Sequence, residues 1–201
     1  MKNPRSARGR PRSFDRDQAL DHAMRLFWTR GYEGTSVAEL AAAMGVNPPS
    51  LYAAFGDKRQ LFNEAVEHYQ AIEGAFIARA LEEAPTAREA IRRILSEAAG
   101  IYARPDFPRG CMVVAAATNC AAGSADVAAG LAARRAAGRH AIRGRLQAAR
   151  DAGELPPGAD PVALADLFVA VLHGLTVAAR DGADAATLRR VADGAMAAWP
   201  A

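Results

Sequence analysis

Apolar residues recur every three or four positions from Phe14 to Trp199, the spacing of one face of a helix. Between Asp15 and Gly31 the stripe is Leu20, Ala23, Met24 and Phe27; Asp15 with Gln18 reads as a capping box, and Phe14 is placed to staple onto Ala19. Ser36 and Glu39 form an S-x-x-E box before Val37, Leu40 and Ala41, and Gly45 stops that helix. Asn47 can cap a third helix that carries Pro48 at its first position, where a missing amide costs nothing, and turns Leu51 and Phe55 inward. Two short helices joined by a tight turn, the second opening on small and polar residues, form a helix-turn-helix. A helix of that width fits the DNA major groove.

The pattern stays helical to the end. Asp57 with Gln60 caps a fourth helix along which Leu61, Phe62, Ala65, Val66, Tyr69, Ile72 and Phe76 recur, with no proline before Pro85. Uninterrupted, about 25 residues would span roughly 37 Å, too long for a small DNA-binding unit alone. A fifth helix follows from Thr86 through Ile101, a loop from Arg104 to Gly110, and a short apolar segment from Cys111 to Ala122. Ser124 opens a seventh helix with Val127, Leu131, Gly138, Ile142, Leu146 and Ala149 on one face, ended by Gly153 and Pro156-Pro157-Gly158. Asp160-Pro161 opens an eighth, carrying Leu164, Leu167, Phe168, Val171, Leu172 and Leu175, and Asp184 a ninth with Leu188, Val191, Ala195, Met196 and Trp199. Period-2 alternation with β-branched runs is missing. The expected class is all-α with about nine helices, divided into a flexible basic arm (1–13), a helix-turn-helix domain (14–56) and a helical core (57–201).

Charge sharpens that division. The net charge of the 201-residue chain is only +3, but residues 1–60 hold 10 Lys and Arg against 6 acids and the remainder 15 against 16. The excess begins in the arm, where Lys2, Arg5, Arg8, Arg10 and Arg12 stand without an acid, suited to a polyanion. Two cysteines make no disulfide framework, and the basic start lacks the apolar stretch of a signal peptide, so a cytoplasmic protein is expected. The apolar run Cys111–Ala117 is far too short to span a bilayer, and no membrane is expected. Phosphate loops, H-E-x-x-H, C-x-x-C and G-x-S-x-G are all missing, which argues against an enzyme and against a cofactor or metal.

The segments G-Y-E-G-T-S (31–36), V-A-E-L-A (37–41), S-L-Y-A-A-F (50–55) and G-D-K-R-Q-L-F (56–62) together resemble the DNA-binding segment of the tetracycline-repressor family of bacterial transcription regulators. The likeness runs from about Arg10 to Tyr69. It implies that the first three helices bind double-stranded DNA, that helix 4 links them to a ligand-binding core, and that the last two long helices pair with a second subunit. It also implies phosphate contacts from Thr35, Ser36, Tyr52 and Lys58. Base reading falls to Asn47, Pro48, Pro49, Ser50 and Ala53; two prolines supply apolar contact but no donor, so DNA shape should carry part of the specificity. Arg10 and Arg12 of the arm are placed to enter an AT-rich minor groove.

Beyond that segment the expectations rest on residue type. A cavity among helices 4 to 8, lined by Tyr69, Phe76, Tyr102, Phe107, Met112, Thr118, Asn119, Phe168 and His173, would suit a small organic inducer. Helices 8 and 9 would form a homodimer interface through Leu164, Phe168, Leu172, Leu188, Val191, Ala195 and Met196, with small residues allowing close approach. Arg134, Arg135, Arg139, Arg143, Arg145 and Arg150 read as a solvated face offset by acids such as Glu82, Glu83 and Glu89. Cys111 and Cys120 are half a turn out of phase and about 13 Å apart on a continuous helix, so they cannot bridge. They read as core cysteines, with electrophile sensing by one thiol as the alternative. His140 and His173 lie too far apart to suggest a metal site. The resulting expectation is a homodimeric repressor released from a palindromic operator by a small ligand. The alternative is an activator of the same fold, or a regulator controlled by a protein partner or by cysteine modification.

Overall fold

A computed structural model describes residues 14–119 and 121–200. Among them the regular elements are all helical: α1 (Arg16–Arg30), α2 (Val37–Met44), α3 (Pro48–Phe55), α4 (Lys58–Ile72), α5 (Ala75–Glu83), α6 (Ala87–Tyr102), α7 (Met112–Ala115), α8 (Ala125–Asp151), α9 (Pro161–Arg180) and α10 (Ala185–Ala195), with short 3₁₀ turns between and after the later ones. Seven of the starts are set by side chains, and those of α5, α7 and α8 carry no side-chain cap. Asp15 accepts the amides of Asp17 and Gln18, Ser36–Glu39 and Asp57–Gln60 form reciprocal boxes, and Asn47, Thr86, Asp160 and Asp184 each cap the helix that follows.

One expected helix is two. The stripe from Leu61 to Phe76 is interrupted at Glu73 and Gly74, where the amides of both residues donate to the Tyr69 carbonyl. Glu73 is buried and pairs with Arg104 from the loop after α6, which draws its carboxylate inward. At Gly74 the chain turns so tightly that a Cβ would sit 3.1 Å from the Gln70 Cα. The apolar period continues through the turn because both halves bury one side, so the periodicity carried no sign of the break. The segment expected at Cys111–Ala122 is likewise only one turn of α-helix followed by 3₁₀ geometry.

Two hydrophobic clusters organise the interior. The first joins α1–α4 (Phe27, Trp28, Leu40, Leu51, Phe62, Tyr69) with Met112, Val113 and Ala116 of the α7 region and Val127 and Leu131 of α8. The second packs α5, α6, the later part of α8, α9 and α10 around Ile91, Leu95, Tyr102, Ile142, Leu146, Phe168 and Leu188. The hydrophobic division therefore falls past the expected boundary at residue 56, because α4 and α7 complete the core beneath the helix-turn-helix. Polar contacts tie the same parts: Arg59 pairs with Asp126 at 2.6 Å, and the Ala121 amide donates to Glu33 at 3.3 Å.

Candidate nucleic-acid interface and internal cavity

α3 buries Leu51 and Phe55 and leaves Asn47, Pro48, Pro49, Tyr52 and Ala53 exposed, with Ser50 half-buried. Tyr52 is 49 % exposed, a large aromatic that the fold does not use. Asn47 Oδ1 accepts the Ser50 amide at 2.8 Å, which leaves its side-chain NH₂ facing outward for a partner. The far end of α3 is clamped by Arg16, a residue the sequence pattern did not single out: its guanidinium lies 4.4 Å over the Phe55 ring and pairs with Glu64 at 2.6 Å. Lys58, in the first turn of α4, is half-buried with Nζ 4.2 Å from the Tyr32 ring centroid. Burial pushes its ammonium down from the usual lysine range, against an opposing pull from Glu33.

Thr35 departs from expectation. It is fully buried and its hydroxyl donates to the Gly31 carbonyl at 2.8 Å, so its proton is spent on the turn after α1 and does not face a phosphate. Ser36 is exposed, but its hydroxyl donates to Glu39 at 2.7 Å and accepts the Glu39 amide, closing the capping box. Its backbone and hydroxyl donors hold the Glu39 carboxylate below the usual range, with Arg30 adding a smaller pull. Arg10 and Arg12 lie outside the described residues.

A cavity of about 250 Å³ opens where α4, α5, α6, α7, α8 and α9 converge. Tyr69, Phe76, Tyr102 and His173 line it as expected, together with Gln70 and Gly74 at the α4–α5 turn, Val113 and Val114, Ile142, Val169 and Leu172. Three expected residues are elsewhere. Phe107 lies between the Arg25 and Arg104 guanidinium groups, 4.3 and 3.9 Å from its ring centroid. Met112 is buried in the core beneath α1 and α4, and Phe168 stacks on Trp199 with centroids 6.0 Å apart. The side chains of Thr118 and Asn119, and Cys120 as a whole, lie outside the described residues.

Cys111 packs against both hydrophobic clusters, as a core cysteine would, and also lines the cavity. It is fixed there by the loop before it: Gly110, at φ +78°, brings its backbone so close to α9 that a Cβ would meet the Thr176 Cγ2 at 2.7 Å. The Cys111 amide donates to Thr176 Oγ1 at 3.3 Å, and its thiol lies beside the hydroxyls of Tyr69 and Tyr102. Burial first, then the neighbouring sulfur, pushes both phenols well above their ordinary range, so both stay protonated. The arginine face is also revised. Arg134, Arg135 and Arg139 line the cavity; Arg134 pairs with Glu67 at 3.0 Å and Arg139 contacts Asp166 at 3.4 Å, while Glu83 and Glu89 engage Arg93 and Arg92.

The expected dimer residues need the same correction. Leu164, Phe168, Leu172 and Leu188 fill the subunit's own core, and Ala195 and Met196 are half-buried; Val191 alone of that set is a large exposed hydrophobe, at 46 %. The outward stripe of α9 is Leu167, Ala170, Gly174 and Val177. α9 is apolar on nearly every side, so helical spacing could not say which stripe faces inward. It is 20 residues long and holds an 18-residue window of mean hydropathy 2.0, long and apolar enough to cross a membrane by length and composition, with 39 % of that window buried.

Comparison with known proteins agrees with this architecture. Residues 19–65 match the family described as bacterial regulatory proteins, tetR family, and residues 87–195 match the tetracyclin repressor-like C-terminal domain. The chain is 34 % identical over 197 residues to the HTH-type transcriptional repressor ComR of Escherichia coli (strain K12), covering 98 % of this chain and 94 % of that protein. It is 41 % identical over 106 residues to the repressor BdcR of the same organism, 53 % of this chain and 54 % of that one. A solved structure of the TetR-family regulator CifR, a cysteine mutant complexed with 26-bp double-strand operator DNA, superposes with a TM-score of 0.91 at 43 % identity, covering 96 % of this chain and all of that one. With both parts matched, 34 % identity to a repressor over nearly the full length and a shared fold, the chain belongs to the TetR family of bacterial transcription regulators and is a DNA-binding protein.

Proposed function

We propose that the protein is a homodimeric cytoplasmic repressor that leaves a palindromic operator when a small organic molecule occupies the cavity. The observation that carries the DNA reading is the exposed face of α3, where Asn47, Pro48, Pro49, Tyr52 and Ala53 are held outward on a helix anchored by Leu51 and Phe55. Tyr52, Lys58 and Ser36 serve phosphates, Ser36 only by exchanging its Glu39 contact. Arg10 and Arg12 reach the minor groove. The outward stripe of α9 with Val191 of α10 supports pairing with a second copy, which would set two α3 helices about 34 to 36 Å apart.

Coupling between cavity and reading helix has a physical route. Gln70 and Gly74 line the cavity at the end of α4, whose first turn holds Lys58, and α8 carries both Arg135 in the cavity wall and Asp126 against Arg59. A ligand that prefers one spacing of α4 against α8 would change operator affinity; a coupling of about 1 to 3 kcal/mol is typical. The protein has no catalytic role in this reading. Selection of bound duplexes from a random pool should return a two-fold symmetric site. A non-symmetric or absent consensus would refute the homodimer on DNA.

Cysteine modification is the second reading, favoured because Cys111 lies in the cavity wall with the phenols of Tyr69 and Tyr102 beside its sulfur. A Cys111→Ser protein that keeps its full response to the inducer would exclude it.

A further inference from the structure

We propose that the cavity takes an organic monoanion, a carboxylate on a compact apolar body, whose charge is met by Arg135. The inference rests on reading the cavity as the ligand seat. Its apolar part is furnished by Phe76, Ile77, Ile142, Val169 and Leu172, enough to hold a short aliphatic or single-ring body. Charge at the cavity is of one sign: among the described residues that line it there are three arginines and no carboxylate. The three are not equivalent. Arg134 is neutralised by Glu67 and further held by Gln70 at 2.7 Å, and Arg139 reaches Asp166.

Arg135 reaches across from α8 to the Val113 carbonyl at 3.4 Å, a neutral acceptor at the edge of hydrogen-bonding distance. It is half-buried, so part of its hydration is lost, and among the described residues no carboxylate stands at salt-bridge distance in return. Opposite it stands His173, which burial, and then Arg135 itself, hold below the usual imidazole range, so that at neutral pH the ring is uncharged and accepts or donates without opposing the guanidinium. Arg135 and His173 also line an adjoining groove of about 340 Å³ between α8 and α9, which places them at the partition between the cavity and the outside. A carboxylate entering there would restore a bidentate partner to Arg135 while its body passes inward, and guanidinium is the group that recognises that planar shape.

The test compares matched acids and amides on the full chain: phenylacetate against phenylacetamide and hexanoate against hexanamide, by calorimetry and thermal shift. The acid should bind about tenfold or more tightly than its amide, the scale of a charge-assisted pair. Arg135→Gln should bring that ratio to about one with amide affinity unchanged, and Arg134→Gln, whose acid partner is already present, should leave most of it. Equal binding of acids and amides, no binding of either, or a ratio that survives Arg135→Gln in a protein with an unchanged circular dichroism spectrum would each overturn the proposal. Operator release is scored separately. Amides that bind and release DNA as well as acids would leave the ligand-release reading standing and remove this one. Acids that bind through Arg135 without releasing DNA would do the reverse.

Discussion

α3 and α9 begin with the same device, an Asx side chain capping a helix whose first residue is a proline, and then present opposite surfaces to the outside. α3 runs for 8 residues and turns polar and small groups outward over two large buried anchors. α9 runs for 20, buries Leu164, Ala165, Phe168, Val169, Leu172 and Leu175, and still shows Leu167 and Val177 to the outside. Local capping thus decides where a helix starts and says nothing about what it meets. The surface left over after the core is satisfied decides that: hydrogen-bonding groups on a short rod suit a nucleic-acid groove, and apolar side chains on a long one suit a second copy.

The largest separation between the two helices should come from charging the exposed stripe of α9. Leu167→Asp with Val177→Asp should leave the subunit folded, since both side chains are outside the core, yet convert dimer to monomer in sedimentation. Operator affinity should then fall by roughly a thousandfold as two linked contacts become one. A double variant that remains dimeric would remove α9 from the interface.

Within α3 the inward and outward sides should fail differently. Leu51→Ala should cost about 3 kcal/mol in denaturant unfolding, the usual penalty for emptying a fully buried site. Tyr52→Ala should leave unfolding within about 0.5 kcal/mol and weaken operator binding by about tenfold in a gel-shift titration. Loss of stability at Tyr52, or unchanged binding, would mean that its ring packs and touches no DNA.

The shared cap offers a finer test. Asn47→Ala and Asp160→Ala should each cost about 1 kcal/mol of stability by thermal melting. Only Asn47→Ala should also lower operator affinity at temperatures where both variants are folded.

His173, on the inner side of α9, carries the smallest expected effect. Its depressed folded-state value means that the unfolded chain binds the proton more readily, so stability rises with pH below about 6.5, the free imidazole value, and is level above it. His173→Gln should flatten that slope between pH 5 and 6.5 in urea titrations, by an amount reduced by the partial exposure of the ring. An unaltered slope would assign the pH dependence to other groups.

The capped helix starts, the turn of the helix-turn-helix and the buried side of α1–α3 were legible in the chain because each depends on neighbours within four residues: a capping oxygen, a proline at the first turn, an apolar period. Asn47, Leu51 and Phe55 stand where that logic put them. The break at Gly74 was not legible, because Glu73 turns inward for Arg104, which lies 31 residues along the chain. Thr35, Phe107 and Arg135 failed the same way: a buried hydroxyl, a ring between two guanidinium groups and a cation in a cavity wall are defined by elements that meet only in the folded chain.

What the sequence determined by itself is the all-helical class, the starts of the capped helices and the face that α3 keeps free, since backbone hydrogen bonding and capping act over one turn. Tertiary structure alone decided which stripe of the evenly apolar α9 turns inward and that Cys111 and Arg135 look into one cavity. Burial is a property of how helices pack against each other, and a helix apolar on every side carries no local instruction about which side to hide.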